Sequence, residues 1–147
     1  MELRDLYQEV ILDHNRRPRN NHAMEEASMT AEGYNPLCGD KLDLFLLVEG
    51  DTIVEASFTG CGCAISTASA SLMTDFLKGK SVDDIRGLFD EFHDMVTSDD
   101  AKASNKLDKL VVLAGVKAYP ARVKCATLAW HTLMAAIDGN NETATTE

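Results

Sequence analysis

The chain has 147 residues and a net charge of -10 at pH 7, from 24 acidic and 14 basic residues. This length predicts one domain with its own core, and the negative charge argues against binding to nucleic acid or to anionic membranes. The N-terminus has no apolar leader, and no apolar run is long enough to span a membrane. We therefore expect a cytoplasmic protein whose four cysteines stay reduced.

The elements expected in the first half of the chain are one helix followed by a β-hairpin. Apolar residues recur at helical spacing from Leu3 to Ile11, and this helix should end before Pro18. Residues 20–33 are polar and are expected to be irregular. The stretch KLDLFLLVEGDTIVEASFT, residues 41–59, alternates apolar and polar residues on both sides of EGD, which is typical of a hairpin.

The second half of the chain is predicted to be helical. One helix is expected over 63–78, followed by Gly79, and a second one is expected to begin at Ser81. After a polar connector at 97–106, a short apolar helix is expected to end at Gly115, and Pro120 suits the start of a last helix.

The order of elements predicts an α+β fold, with about three antiparallel strands covered by helices on one side. We expect a single domain over 1–138 and a disordered tail over 139–147.

Every cysteine lies at a predicted element boundary: Cys38, Cys61, Cys63 and Cys125. Cys38 and Asp40 could offer sulfur and oxygen ligands from one short loop. Three thiolates and one carboxylate would complete a tetrahedral site, and soft sulfur ligands favour zinc, copper(I) or iron–sulfur chemistry. The spacing alone leaves a shared metal site and scattered buried cysteines equally open.

The histidines are weaker candidates for ligands than the cysteines. His14 falls on the apolar stripe of the first helix, so we expect a packed side chain there. His22 and His93 look like surface residues, and His131 is too far along the last helix from Cys125 to share its site.

Several motifs resemble those of the iron–sulfur cluster assembly family that includes the IscU, NifU N-terminal and SufU proteins. They are LYQEVILDHNRRPRN, NPLCGD, GCAISTASAS, GKS and PARVKCATLAWHTL, in this order, and the resemblance covers residues 6–137. The long stretch of residues 81–119 is typical of the SufU branch of zinc-dependent sulfurtransferases. So is Lys124, which stands where IscU-type proteins carry a histidine ligand.

This resemblance implies a zinc site made of Cys38, Asp40, Cys63 and Cys125. The family alignment favours Cys63 as the ligand and leaves Cys61 as a bystander or a minor reactive thiol. Cys38 is implied as the catalytic thiol, which is freed from the metal to accept persulfide sulfur.

The implied partners are a SufS-type, pyridoxal-phosphate-dependent cysteine desulfurase and a downstream scaffold complex that builds the cluster. The alternative is a scaffold on which a [2Fe–2S] cluster is assembled and transferred, with iron or the cluster in place of zinc.

Overall fold

The structure is a computed structural model that describes residues 3–37, 39–97, 105–139 and 144–145. In chain order its elements are α1 Leu3–Arg16, β1 Met29–Asn35, β2 Asp40–Glu49, β3 Thr52–Cys61, α2 Ala64–Leu77, α3 Val82–Thr97, a 3₁₀ helix Asn105–Ala118, α4 Pro120–Asp138 and β4 Ala144–Thr145. None of the helices within these ranges is both long and apolar enough to cross a membrane.

The strands form one sheet in the order β3-β2-β1-β4. β2 pairs antiparallel with both β1 and β3, and β4 adds two residues parallel to β1 at the edge. Leu42, Leu44 and Leu46 of β2 are buried, and α2 and α4 pack on the sheet. The predicted α+β fold, with three antiparallel strands and a covering layer of helices, is confirmed.

β1 corrects the expectation that residues 20–33 are irregular, since Met29–Asn35 is a regular strand. Its core-facing residues are Ala31, Gly33 and Asn35, all buried. Small and polar side chains at these positions hide the apolar alternation by which a half-buried strand is recognised. The strand therefore depends on pairing with β2, which brings Asn35 opposite Asp40.

The ends of the α-helices follow local signals in the sequence. α1 ends at Arg16, two residues before Pro18, and α4 begins at Pro120. α2 ends one residue earlier than expected, at Leu77, and Gly79 beyond it has a positive φ of 86°. Trp130 of α4 is fully buried and stacks on Phe92 of α3 at a centroid distance of 5.1 Å.

The segment before α4 differs from the expected short helix ending at Gly115. It is a 3₁₀ helix that continues through this glycine to Ala118. Its four most deeply buried described residues recur every third position, at Leu107, Leu110, Leu113 and Val116. Because a 3₁₀ helix has three residues per turn, this spacing places all four on one side.

α4 approaches β1 very closely at Gly33. A Cβ atom added at Gly33 would overlap Oγ1 of Thr132 and lie 3.1 Å from Cδ1 of Leu128. Thr132 is fully buried, and its hydroxyl donates to the carbonyl oxygen of Leu128 at 2.8 Å. A glycine on the strand therefore permits the contact between α4 and the sheet.

The C-terminal residues are described in part. Gly139 follows α4 with a φ of 69°, and its amide is bonded to carbonyls of the last turn. Ala144 and Thr145 pair with Gly33 and Tyr34 as β4, a short strand not predicted from the sequence. The rest of the predicted disordered tail, residues 140–143 and 146–147, lies outside the described residues, as does most of the polar connector.

Candidate metal centre

Asp40 is the first residue of β2 and is completely buried. Both of its carboxylate oxygens accept hydrogen bonds. Oδ1 accepts from the main-chain amide of Cys63 at 2.8 Å, and Oδ2 accepts from Nδ2 of Asn35 at 3.0 Å. These bonds hold the carboxylate between the start of β2 and the start of α2.

Cys63 lies at the N-terminus of α2, where it is the capping residue. Its backbone is extended, and its Sγ accepts a hydrogen bond from the amide of Ser66 at 3.4 Å. The side chain is half-buried. The sulfur therefore accepts from one of the amides that are left free in the first turn of a helix.

Cys125 lies in the second turn of α4 and is completely buried. Its Sγ is 3.6 Å from Nδ2 of Asn35 and 3.8 Å from the carbonyl oxygen of Ala121. The amide nitrogen of Asn35 therefore contacts both the thiol of Cys125 and the carboxylate of Asp40.

These three side chains meet at one end of the sheet. A carboxylate oxygen of Asp40 and the sulfurs of Cys63 and Cys125 all lie within 4.8 Å of one another. No other group of at least three His, Cys, Asp or Glu side chains is close enough to share a metal within the part of the chain that the structure describes.

The donor set fits zinc. At ordinary Zn–S and Zn–O bond lengths, the ligand atoms of one tetrahedron lie roughly 3.6–3.8 Å apart. The ligand atoms of Asp40, Cys63 and Cys125 lie within 4.8 Å of one another, which is only about 1 Å more than the separation in a zinc tetrahedron. Two sulfurs and one oxygen leave one tetrahedral position for a fourth ligand.

Cys38, the fourth ligand implied by the sequence, lies outside the described residues. Its chain neighbours are described: Leu37 is 58% exposed, and Gly39 has a φ of 74°. The amide of Gly39 donates to the carbonyl oxygen of Asn35 at 2.8 Å, which closes the turn between β1 and β2. The assignment of Cys38 as ligand and catalytic thiol stays a prediction.

Cys61 is outside the cluster, although it is only two residues from Cys63. It is the last residue of β3, is exposed, and pairs with Lys41 of β2. The structure thus brings Cys63, and not Cys61, together with Asp40 and Cys125.

The histidines lie away from the cluster. His14 is buried, and its Nδ1 is 2.7 Å from Oγ of Ser71, which agrees with the predicted packed residue. His93 and His131 flank the ring of Phe89 at centroid distances of 5.9 and 5.5 Å.

Two residues of the site were not recognised in the sequence. Asn35 directly precedes the proline of NPLCGD, and its buried side-chain amide becomes apparent only once β1 and α4 are placed. Gly62 stands beside Asp40, where an added Cβ would lie 2.5 Å from Oδ1. In the sequence, the close approach of the chain to Asp40 is indicated only by the glycine between Cys61 and Cys63.

The fold and the cluster together define a small α+β domain with a candidate metal centre of cysteine and carboxylate side chains at the end of its sheet. Residues 6–126 match the family described as the NifU-like N terminal domain. The chain belongs to this family.

Its similar proteins include both branches of the family. It is 41% identical over 128 residues to the zinc-dependent sulfurtransferase SufU of Bacillus subtilis, covering 87% of this chain and 86% of the relative. It is 40% identical over 136 residues to the iron–sulfur cluster assembly scaffold protein IscU of Streptococcus pyogenes, covering 92% and 85%.

A solved structure has the same fold. The crystal structure of a putative iron–sulfur cluster assembly scaffold protein for the SUF system from Fervidobacterium islandicum matches with a TM-score of 0.84 and 34% identity. The match covers 92% of this chain and 99% of that one.

Proposed function

We propose that this protein is a zinc-dependent sulfur acceptor and transfer protein for iron–sulfur cluster assembly in the cytoplasm. It receives persulfide sulfur from a SufS-type, pyridoxal-phosphate-dependent cysteine desulfurase and passes it to a downstream scaffold complex. The observation that carries the proposal is the convergence of Asp40, Cys63 and Cys125 within 4.8 Å. The similarity to a relative named as a zinc-dependent sulfurtransferase supports it.

Asp40, Cys63 and Cys125 would hold the zinc, together with Cys38. When bound, zinc stabilises thiolates without any redox chemistry of its own. The two hydrogen bonds to the carboxylate of Asp40 keep it oriented. Leu37, which precedes Cys38 in the chain, is exposed to solvent. A partner protein can therefore approach the turn from outside.

The transfer step needs a thiolate on Cys38. This thiolate attacks the terminal sulfur of the desulfurase persulfide, and a new S–S bond forms as the S–S bond within that persulfide breaks. Cys38 then carries the persulfide, and the desulfurase cysteine leaves as a thiolate. Sulfur is passed on without a net oxidant or reductant.

Labelled sulfur tests this role. A desulfurase given ³⁵S-cysteine should load the wild-type protein and Cys61→Ser equally, because Cys61 lies outside the cluster. Cys38→Ala should lose nearly all of the protein-bound label. The proposal is wrong if Cys38→Ala accepts labelled sulfur at the wild-type rate.

The second candidate is a scaffold on which a [2Fe–2S] cluster is assembled and transferred. The S. pyogenes relative is named an iron–sulfur cluster assembly scaffold protein. The same cluster of sulfur and oxygen atoms could serve this function. Lys124 favours sulfur transfer, because an ammonium group cannot ligate a metal before it loses a proton.

Metal analysis separates these two functions. Protein purified without added iron should contain one zinc per chain and should increase desulfurase turnover. A coloured, oxygen-labile cluster with no bound zinc would instead support the scaffold.

A further inference from the structure

We infer that Asn35 is the positioning residue of this centre: its side-chain amide holds Asp40 and Cys125 in place and connects them to the turn that carries Cys38. The inference rests on the proposed metal site. It assigns to Asn35 an orienting role, with no bond to the metal.

The nitrogen end of the amide faces two of the candidate ligands. Asn35 is completely buried, with Nδ2 3.0 Å from Oδ2 of Asp40 and 3.6 Å from Sγ of Cys125. The amide nitrogen of Asn35 carries two N–H groups, so it can donate one to the Asp40 oxygen and the other to the Cys125 sulfur at the same time. These two contacts would hold the two ligand atoms at a fixed separation.

The oxygen end of the same amide faces the turn. Oδ1 of Asn35 accepts a hydrogen bond from the amide of Leu37 at 3.3 Å. The main-chain carbonyl of Asn35 accepts from the amide of Gly39 at 2.8 Å. Asn35 therefore bonds to the residues on both sides of Cys38, while its nitrogen contacts Asp40 and Cys125.

The two ends of the amide can be separated by substitution. Asn35→Asp keeps an oxygen to accept from Leu37 but replaces both N–H donors with an acceptor that faces Asp40. Asn35→Ala removes both ends. If Asn35 only shaped the turn, Asn35→Asp would bind zinc as the wild type does, and if it orients ligands, both variants would bind zinc weakly.

The experiment measures zinc affinity by competition with a chromophoric chelator at pH 8, with circular dichroism to verify folding. Outer partners of metal ligands commonly contribute 10–100-fold to affinity, and we expect a loss of about this size for both Asn35→Ala and Asn35→Asp. The matched controls are Asn21→Ala and Asn21→Asp, because Asn21 is exposed. Both controls should bind zinc like the wild type.

Folded Asn35→Asp with wild-type zinc affinity would overturn the inference. A wild type that binds no zinc would overturn both the inference and the proposed function. Tight zinc binding by the wild type, weakened by both Asn35 variants but without sulfur transfer, would refute the proposed function and support the inference.

A measurement on the unmodified protein covers the case in which the variants do not fold. In ¹⁵N-labelled wild type, the side-chain amide protons of Asn35 should exchange slowly with solvent and shift when zinc is added. Rapid exchange, with no shift on zinc addition, would overturn the inference.

Discussion

The main-chain amide of Cys63 donates a 2.8 Å hydrogen bond to Oδ1 of Asp40, so the capping residue of α2 is bonded directly to the first residue of β2. This bond fixes the position of one candidate ligand relative to another before a metal is present. It requires the chain to pass very close to the carboxylate at Gly62, where no Cβ can be accommodated without movement.

Gly62→Ala is therefore expected to weaken metal binding. The new Cβ would lie 2.5 Å from Oδ1 of Asp40, whose carboxylate is held by two hydrogen bonds and cannot move freely. We expect zinc affinity to fall by about tenfold or more, with unchanged helix content. Chelator competition measures this change.

The matched control for this variant is Gly87→Ala in α3, where an added Cβ meets nothing within 4 Å. It should stabilise the fold by about 0.5–1 kcal/mol, because alanine is favoured over glycine within a helix. Zinc affinity should not change. Equal affinities for Gly62→Ala and Gly87→Ala would contradict the role given to Gly62.

Ser71→Ala should destabilise the protein. Oγ of Ser71 is completely buried, accepts from the amide of Arg19 at 2.8 Å and lies 2.7 Å from Nδ1 of His14. Removing the hydroxyl leaves buried polar groups without this partner, and we expect a loss of about 1–3 kcal/mol in the free energy of unfolding. Urea denaturation measures it.

The matched control for Ser71→Ala is Ser57→Ala, which removes a buried hydroxyl that has no hydrogen bond within the described part of the chain. Ser57 is also completely buried, but its Oγ has no hydrogen-bond partner among the described residues. Removing an unsatisfied hydroxyl should leave stability unchanged or raise it. If Ser57→Ala were as destabilising as Ser71→Ala, hydrogen bonding would not explain the effect at residue 71.

Stability should fall in mild acid because of His131. Burial, and to a lesser degree the charge of His93, lower the pKa of His131 below its ordinary 6.5. The unfolded chain then binds the proton more readily than the folded one, so the stabilisation is complete above about pH 6.5 and is lost as the pH falls below it. Wild type should lose more stability between pH 7 and pH 5 than His131→Gln.

Urea denaturation at several pH values measures this difference. His93→Gln is the control: burial is the larger cause of the lowered pKa, so this variant should keep most of the wild-type pH dependence. Parallel curves for the wild type and His131→Gln would show that His131 does not contribute.

Zinc binding at the cluster of Asp40, Cys63 and Cys125 should raise the melting temperature of the protein. A ligand at 100 times its dissociation constant stabilises the folded state by about 2.7 kcal/mol. Cys61→Ser should keep this gain, because Cys61 is exposed and outside the cluster. Cys125→Ser should lose most of this increase in melting temperature, which calorimetry measures. If zinc stabilised Cys125→Ser as much as the wild type, Cys125 would not be a ligand.

Features specified by neighbouring residues were predictable from the sequence. Pro18 and Pro120 restrict the backbone locally, so α1 and α4 end and begin close to where they were expected. The alternation in β2 exposes one face and buries the other, which made the hairpin recognisable. The resemblance to the family motifs also implied that Asp40, Cys63 and Cys125 share one site. Their spacing in the sequence alone did not decide between a shared site and scattered cysteines.

Features that depend on distant contacts were not predictable. β1 presents a glycine and an asparagine to the core, and these become interpretable only with α4 packed above them. β4 has two residues and exists through its pairing with β1. The orienting amide of Asn35 belongs to the same class, because its partner Cys125 is 90 residues away in the chain.

The close approach of α4 to Gly33 has a consequence for the metal centre. Asn35 follows Gly33 by two residues on the same face of β1, and Cys125 precedes Thr132 by two turns on α4. The packing at Gly33 therefore sets the spacing between the strand and the helix that supply the site. A larger side chain at residue 33 would push α4 away from β1 and separate the candidate ligands. Loss of metal binding would then report looser packing of α4 on the sheet before the protein unfolds.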